Sequence, residues 1–118
     1  MIKINELAFE IYLECNHSDE FVRNKIEKYI NGYQERSYIN NGFISILLKL
    51  DELDKELSSN TQKKIFFIEV DTNFDQCSEI NLNEYIGQSI KLYNLLSSIG
   101  FVRVAGGDCV FSKIEESR

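Results

Sequence analysis

Apolar and polar positions alternate through residues 7–15, where Leu7, Phe9, Ile11, Leu13 and Cys15 are separated by Ala8, Glu10, Tyr12 and Glu14. A period of two predicts a half-buried strand that keeps its glutamates on the wet side. Ile4, Leu7, Ala8, Ile11, Tyr12 and Cys15 also fall at helical spacing. A helix, however, would leave Phe9 and Leu13 outside and set Glu6, Glu10 and Glu14 at like-charged i, i+4 positions. Strand is therefore the preferred reading of residues 6–15, with helix as the alternative. Ser18, followed by Asp19 and Glu20, has the form of a helix N-cap with acids in the first turn. Phe21, Val22, Ile26, Tyr29 and Ile30 then recur at intervals of three and four, and Gly32 is the expected stop.

Asn40-Asn41-Gly42 breaks the pattern. Ile46, Leu47, Leu50, Leu53 and Leu57 fall at helical spacing after it, which predicts a second helix over residues 43–57. The strongest local signal is Lys-Lys-Ile-Phe-Phe-Ile-Glu-Val-Asp over residues 63–71, a short β-branched and aromatic run that predicts a central buried strand covered on both faces by helices. A polar loop over residues 72–81 carries Phe74. A third helix follows, with Ile86, Ile90, Tyr93, Leu95 and Leu96 facing inward and Gly100 as its stop. Gly87 weakens that helix near its start, for which close backbone approach is one reason. Residues 101–114 read as a C-terminal hairpin turning at Gly106-Gly107-Asp108.

The expected fold is thus a single small α/β (α+β) domain over residues 1–118, with helices packed on a sheet around the strand at 63–71. Composition agrees: 43% hydrophobic and 27% charged residues in 118 suffice for a core without disulfide staples. The three cysteines, Cys15, Cys77 and Cys109, are odd in number and form no CxxC pair, which favours a reducing compartment. Glu6, Glu10 and Glu14 interrupt any apolar leader, and no run approaches the length of a membrane span, so a cytoplasmic location is expected.

The second half of the chain resembles the GNAT N-acetyltransferases. Residues 36–48 are placed like that family's cofactor turn and helix, and Ile68-Glu69-Val70-Asp71-Thr72-Asn73 is similar to its strand before the acceptor cleft. Ile90-Lys91-Leu92-Tyr93 followed by Ile99-Gly100-Phe101 is similar to its closing signature, and the terminal hairpin to residues 101–114. The resemblance implies a GNAT-like skeleton, acetyl-CoA as cofactor, Gly42 in the pyrophosphate turn and Tyr93 as general acid. The chain departs from the family where Ile39 and Ile44 flank Gly42 at positions that call for a polar residue and a small one, and in a longer spacing from Tyr93 to Gly100.

Charge bears most directly on function. A net charge of −6 disfavours direct binding to a nucleic-acid backbone and favours a basic partner. Residues 65–90 hold five acids, Glu69, Asp71, Asp75, Glu79 and Glu84, and no lysine or arginine. Such a run is ordinarily a solvated face. No nucleophile elbow, phosphate loop or metal-ligand spacing is visible, and the lone His17 is expected as a surface or capping residue. The preferred expectation is a small acidic, non-catalytic binding protein without cofactor or metal, such as an immunity protein or inhibitor of a nuclease toxin or other nucleic-acid-handling enzyme. Its expected interface is Glu69, Asp71, Asp75, Glu79 and Glu84, with Phe74 and Tyr85 among them. A divergent GNAT-type acetyltransferase using acetyl-CoA is the alternative.

Overall fold

The computed structural model describes residues 7–50, 63–75 and 78–107. The elements run β1 (Phe9–Cys15), α1 (Asp19–Ile30), β2 (Tyr33–Glu35), β3 (Tyr38–Asn40), β4 (Ile44–Leu50), β5 (Lys64–Thr72), α2 (Glu79–Ile99) and β6 (Phe101–Gly106). The six strands form one sheet in the order β2-β3-β4-β5-β1-β6, and every pairing is antiparallel. The protein is a small α+β domain with two helices among the described residues.

Strand is the outcome for the first segment: Phe9, Ile11, Leu13 and Cys15 are buried while Glu10, Tyr12 and Glu14 lie on the other face. The alternation decides it, because β1 sits inside the sheet between β5 and β6 and has a single apolar face to bury. On β5, Phe66, Ile68 and Val70 join that same core, together with Ile44, Ile46 and Leu48 of β4. Val22, Ile26 and Ile30 of α1 and Tyr85, Leu92 and Leu96 of α2 cover them. Both described helices therefore pack on one face of the sheet, where cover on two faces had been expected.

Over its described part, the helix predicted at residues 43–57 is not formed. Residues 44–50 are strand β4, in register with β5 so that Ile46 faces Val70 and Leu48 faces Ile68; residues 51–57 lie outside those described. The helical spacing misleads because Leu47 is apolar on the face away from the helices, which breaks the alternation a one-sided strand should show. The stretch placed as the cofactor turn and helix is thus the β2–β3 turn, β3, a second turn and most of β4. Of the C-terminal hairpin, β6 is present, and its expected partner at 109–114 lies outside the described residues.

Ser18 caps α1, its hydroxyl accepting from the Phe21 N–H at 3.1 Å. The helix ends at Asn31, which holds the left-handed conformation (φ 53°), one residue before the expected glycine stop. Gly32 serves a different purpose: a Cβ there would lie 2.5 Å from the Asn40 carbonyl oxygen. Arg23 fastens α1 to the sheet. It pairs with Asp19 at 3.2 Å and donates to the Ser37 and Leu48 carbonyls at 3.0 Å each. No described helix is long and apolar enough to cross a membrane.

Candidate functional site

Strand β5 ends where the acidic run begins, and its pleat decides what each side chain can do. Glu69 and Asp71 alternate with buried Val70, so both project exposed from the face opposite the helices. They form a ridge between two shallow clefts. One is floored by Tyr38, Ser45 and Leu47 of β3 and β4, the other by Ala8, just before β1, with Glu10 of β1 and Gly106 of β6. Glu10 stands directly across from Glu69 in the β1–β5 register. Two like charges at opposed positions destabilise a sheet. Neither they nor Asp71 has an ion-pair partner among the described residues, although Asp71 accepts the Thr72 N–H at 2.7 Å.

The other expected contact residues divide. Asp75, Glu79 and Glu84 are exposed, in the loop after β5 and along the start of α2. Glu79 lies in the first turn, where the helix dipole favours an acid, and Ser78 caps that turn by accepting from the Asn81 N–H at 3.1 Å. Phe74 is half-buried against the core, its ring edge-on to Tyr85 with centroids 6.4 Å apart. Tyr85 is fully buried and cannot be a partner contact as expected. Its hydroxyl donates to the Leu7 carbonyl at 2.5 Å, tying α2 to the start of the sheet's inner strand. An aromatic beside acids in sequence can face either way, and the helix period, which puts Tyr85 on the stripe of Leu92 and Leu96, was the signal that could have placed it.

Burial pushes the Tyr85 phenol well above its ordinary range, and the Asp71 carboxylate adds to the shift. The folded protein therefore keeps a proton that the unfolded chain releases above about pH 10. This contribution to stability is complete below that pH and is lost as pH rises towards the folded-state value. Tyr85→Phe is expected to cost about 1 kcal/mol at neutral pH through the lost hydrogen bond, and to show a shallower alkaline decline. Urea unfolding of both proteins at pH 7 and above pH 10 checks this: the gap should narrow in alkali, and a constant gap refutes it.

The acetyltransferase resemblance implied roles for Gly42 and Tyr93. Gly42 lies in the turn between β3 and β4, not at a helix start, and the Phe43 and Ile44 N–H groups after it are taken by the Asn41 side-chain oxygen at 2.8 and 3.0 Å. Asn41 also donates to the Ile30 carbonyl and to Gln88, so this turn locks the end of α1 to α2. Tyr93 lies half-buried in the middle of α2 and lines neither cleft. His17 stacks on Phe21 with centroids 4.1 Å apart, next to the α1 cap. No group of three or more histidine, cysteine or acidic side chains able to hold a metal ion occurs among the described residues.

Comparison of the chain with protein-family models, curated proteins and solved structures gave no match.

Sequence reasoning missed three participants on the open face. Alternation places Glu10 only on the wet side of a strand, and no local pattern marks Tyr12 or Phe67. Their rings meet at 5.5 Å with 56° between planes. The register that joins them, Tyr12 opposite Phe67 and Glu10 opposite Glu69, requires the pairing of β1 with β5, which no local pattern encodes.

Proposed function

We propose that this protein is a small acidic binding protein that neutralises a basic protein partner, as an immunity protein or inhibitor does with a nuclease toxin or another nucleic-acid-handling enzyme. The observation that carries the reading is the set of exposed carboxylates at and beyond the end of β5, Glu69, Asp71, Asp75, Glu79 and Glu84, none ion-paired among the described residues. With a net charge of −6 they speed encounter with a positive surface. The free, buried Cys15 thiol suits action in a reducing cytoplasm.

The test compares the wild type with the Asp71→Lys/Asp75→Lys/Glu79→Lys variant, each immobilised and challenged with cell extract across a salt series. The wild type should retain a basic protein at low salt and release it as salt rises, and the variant should retain about tenfold less. Equal retention by the two removes this surface as the interface. Millimolar acetyl-CoA, added to a thermal unfolding scan, should leave the midpoint unchanged; a clear rise would favour the acetyltransferase alternative.

A further inference from the structure

The sheet face turned away from the helices is ordered into rows by the strand register. Tyr38, Leu47, Glu69 and Glu10 lie side by side across β3, β4, β5 and β1. The next row is Lys49, Phe67, Tyr12 and Arg103, across β4, β5, β1 and β6. Its centre is the Tyr12–Phe67 ring pair, and the Arg103 guanidinium sits 5.1 Å from the Tyr12 ring centroid. Near the other end of the face, Glu14 is matched by Lys63 at 3.6 Å. Among the described residues the first row and Asp71 have no such match. Glu10, Glu69 and Asp71 form an uncompensated negative end beside an aromatic centre, and Tyr38, 44% exposed, stands at its margin.

We propose that this open face is where the basic partner docks, with Tyr12 and Phe67 as the apolar anchor and Glu10, Glu69 and Asp71 receiving its lysines or arginines. The inference rests on the acidic-binder reading and moves the centre of the interface from the loop after β5 to the face of the sheet. Charge chooses the occupant. Aromatic rings on an open antiparallel sheet can also stack the bases of single-stranded RNA, and Lys49 and Arg103 share their row, but Glu10, Glu69 and Asp71 beside that row and the net charge of −6 repel a phosphate backbone. They attract an arginine side chain, whose guanidinium can pair with a carboxylate and stack on a neighbouring ring. A cation brought between Glu10 and Glu69 also relieves the repulsion that the free protein bears.

Amide chemical shifts of the nitrogen-15-labelled protein, titrated with a decaarginine peptide at low salt and again at high salt, map the contact. A salt-sensitive footprint on β1, β4 and β5, centred on Tyr12, Leu47, Phe67 and Glu69, supports the proposal. The Glu10→Gln/Glu69→Gln variant keeps side-chain size and loses the repulsion. It should melt no lower than the wild type and bind the peptide about three- to tenfold more weakly. A footprint confined to residues 74–84, or unchanged affinity of that variant, overturns the sheet-face assignment while leaving the acidic-binder reading in place. Absence of a salt-sensitive footprint anywhere removes both. A footprint with a single-stranded RNA decamer and none with the peptide replaces the proposal with a nucleic-acid surface.

Discussion

Phe66→Ala is expected to bring the protein close to unfolding at room temperature, whereas Phe67→Ala, one residue on, should be tolerated. Phe66 lies on β5 between Leu13 of β1 and Leu50 of β4 and is fully buried in the core under the helices. Truncating such a side chain removes its transfer free energy and leaves a cavity, together costing about 3–5 kcal/mol. That is a large part of the roughly 5–15 kcal/mol a domain of this kind has in hand. For a chain of this length the melting temperature should fall by roughly 10–25 °C. Phe67 points to the open face, is only half-buried and gives up one tilted ring contact with Tyr12, a loss of about 1 kcal/mol. Urea midpoints of the two variants make the comparison. Equal losses, or a greater loss at Phe67, would mean that the register of β5 is displaced by one residue and its faces exchanged.

Gly100→Ala should cost about 3 kcal/mol, at the upper end of what overpacking does. The residue closes α2, its N–H bonded to the Leu96 carbonyl at 3.0 Å, and it does so in extended backbone (φ −175°) that any residue can adopt. Space, not backbone angle, demands glycine here. A Cβ would collide with the Glu14 carbonyl oxygen and lie 2.8 Å from the Cys15 Cβ and 2.9 Å from the Leu13 Cδ1. The obstacle includes the backbone of β1, held on both sides by sheet neighbours, so it cannot swing aside. Gly87→Ala in the same helix is the control. Nothing lies within 4 Å of its Cβ position, contrary to the close approach expected there, and alanine should stabilise by about 0.5–1 kcal/mol. Thermal unfolding of both variants checks the pair, and a harmless Gly100→Ala would show that α2 and β1 are not pressed together as described.

What could be read ahead of the structure follows how local each signal is. Strand β1 and the N-terminus of α1 announce themselves within a few residues, through strict alternation and through Ser18 with its acids. Strand β5 was legible as buried, but Ile65 and Phe67 implied a second helical layer, and among the described residues both helices lie on the other face, leaving these two side chains half-buried. Strand β4 went to a helix because Leu47 fills the same open face and hides the alternation. Strands β2 and β3 are three residues each, and the turn between them is made by Arg36 in the left-handed conformation, where glycine or asparagine is the usual sign. At the candidate site, the exposure of Glu69, Asp71, Asp75, Glu79 and Glu84 was legible from the charge run. The burial of Tyr85 and the meeting of Glu10 with Glu69 were not, since each depends on chain segments far apart in sequence.

The position of β1, first of the described strands yet interior to the sheet, has a bearing on synthesis. Neither of its neighbours exists when it leaves the ribosome: β5 begins about fifty residues later and β6 later still, so at ~5–20 residues per second the strand waits roughly 3–10 s for its first partner. Throughout that interval Phe9, Ile11 and Leu13 lack the two strands that flank them in the folded sheet. A nascent chain halted before residue 64 should therefore be a client for chaperones that hold apolar strands, and one extended past residue 106 should release them.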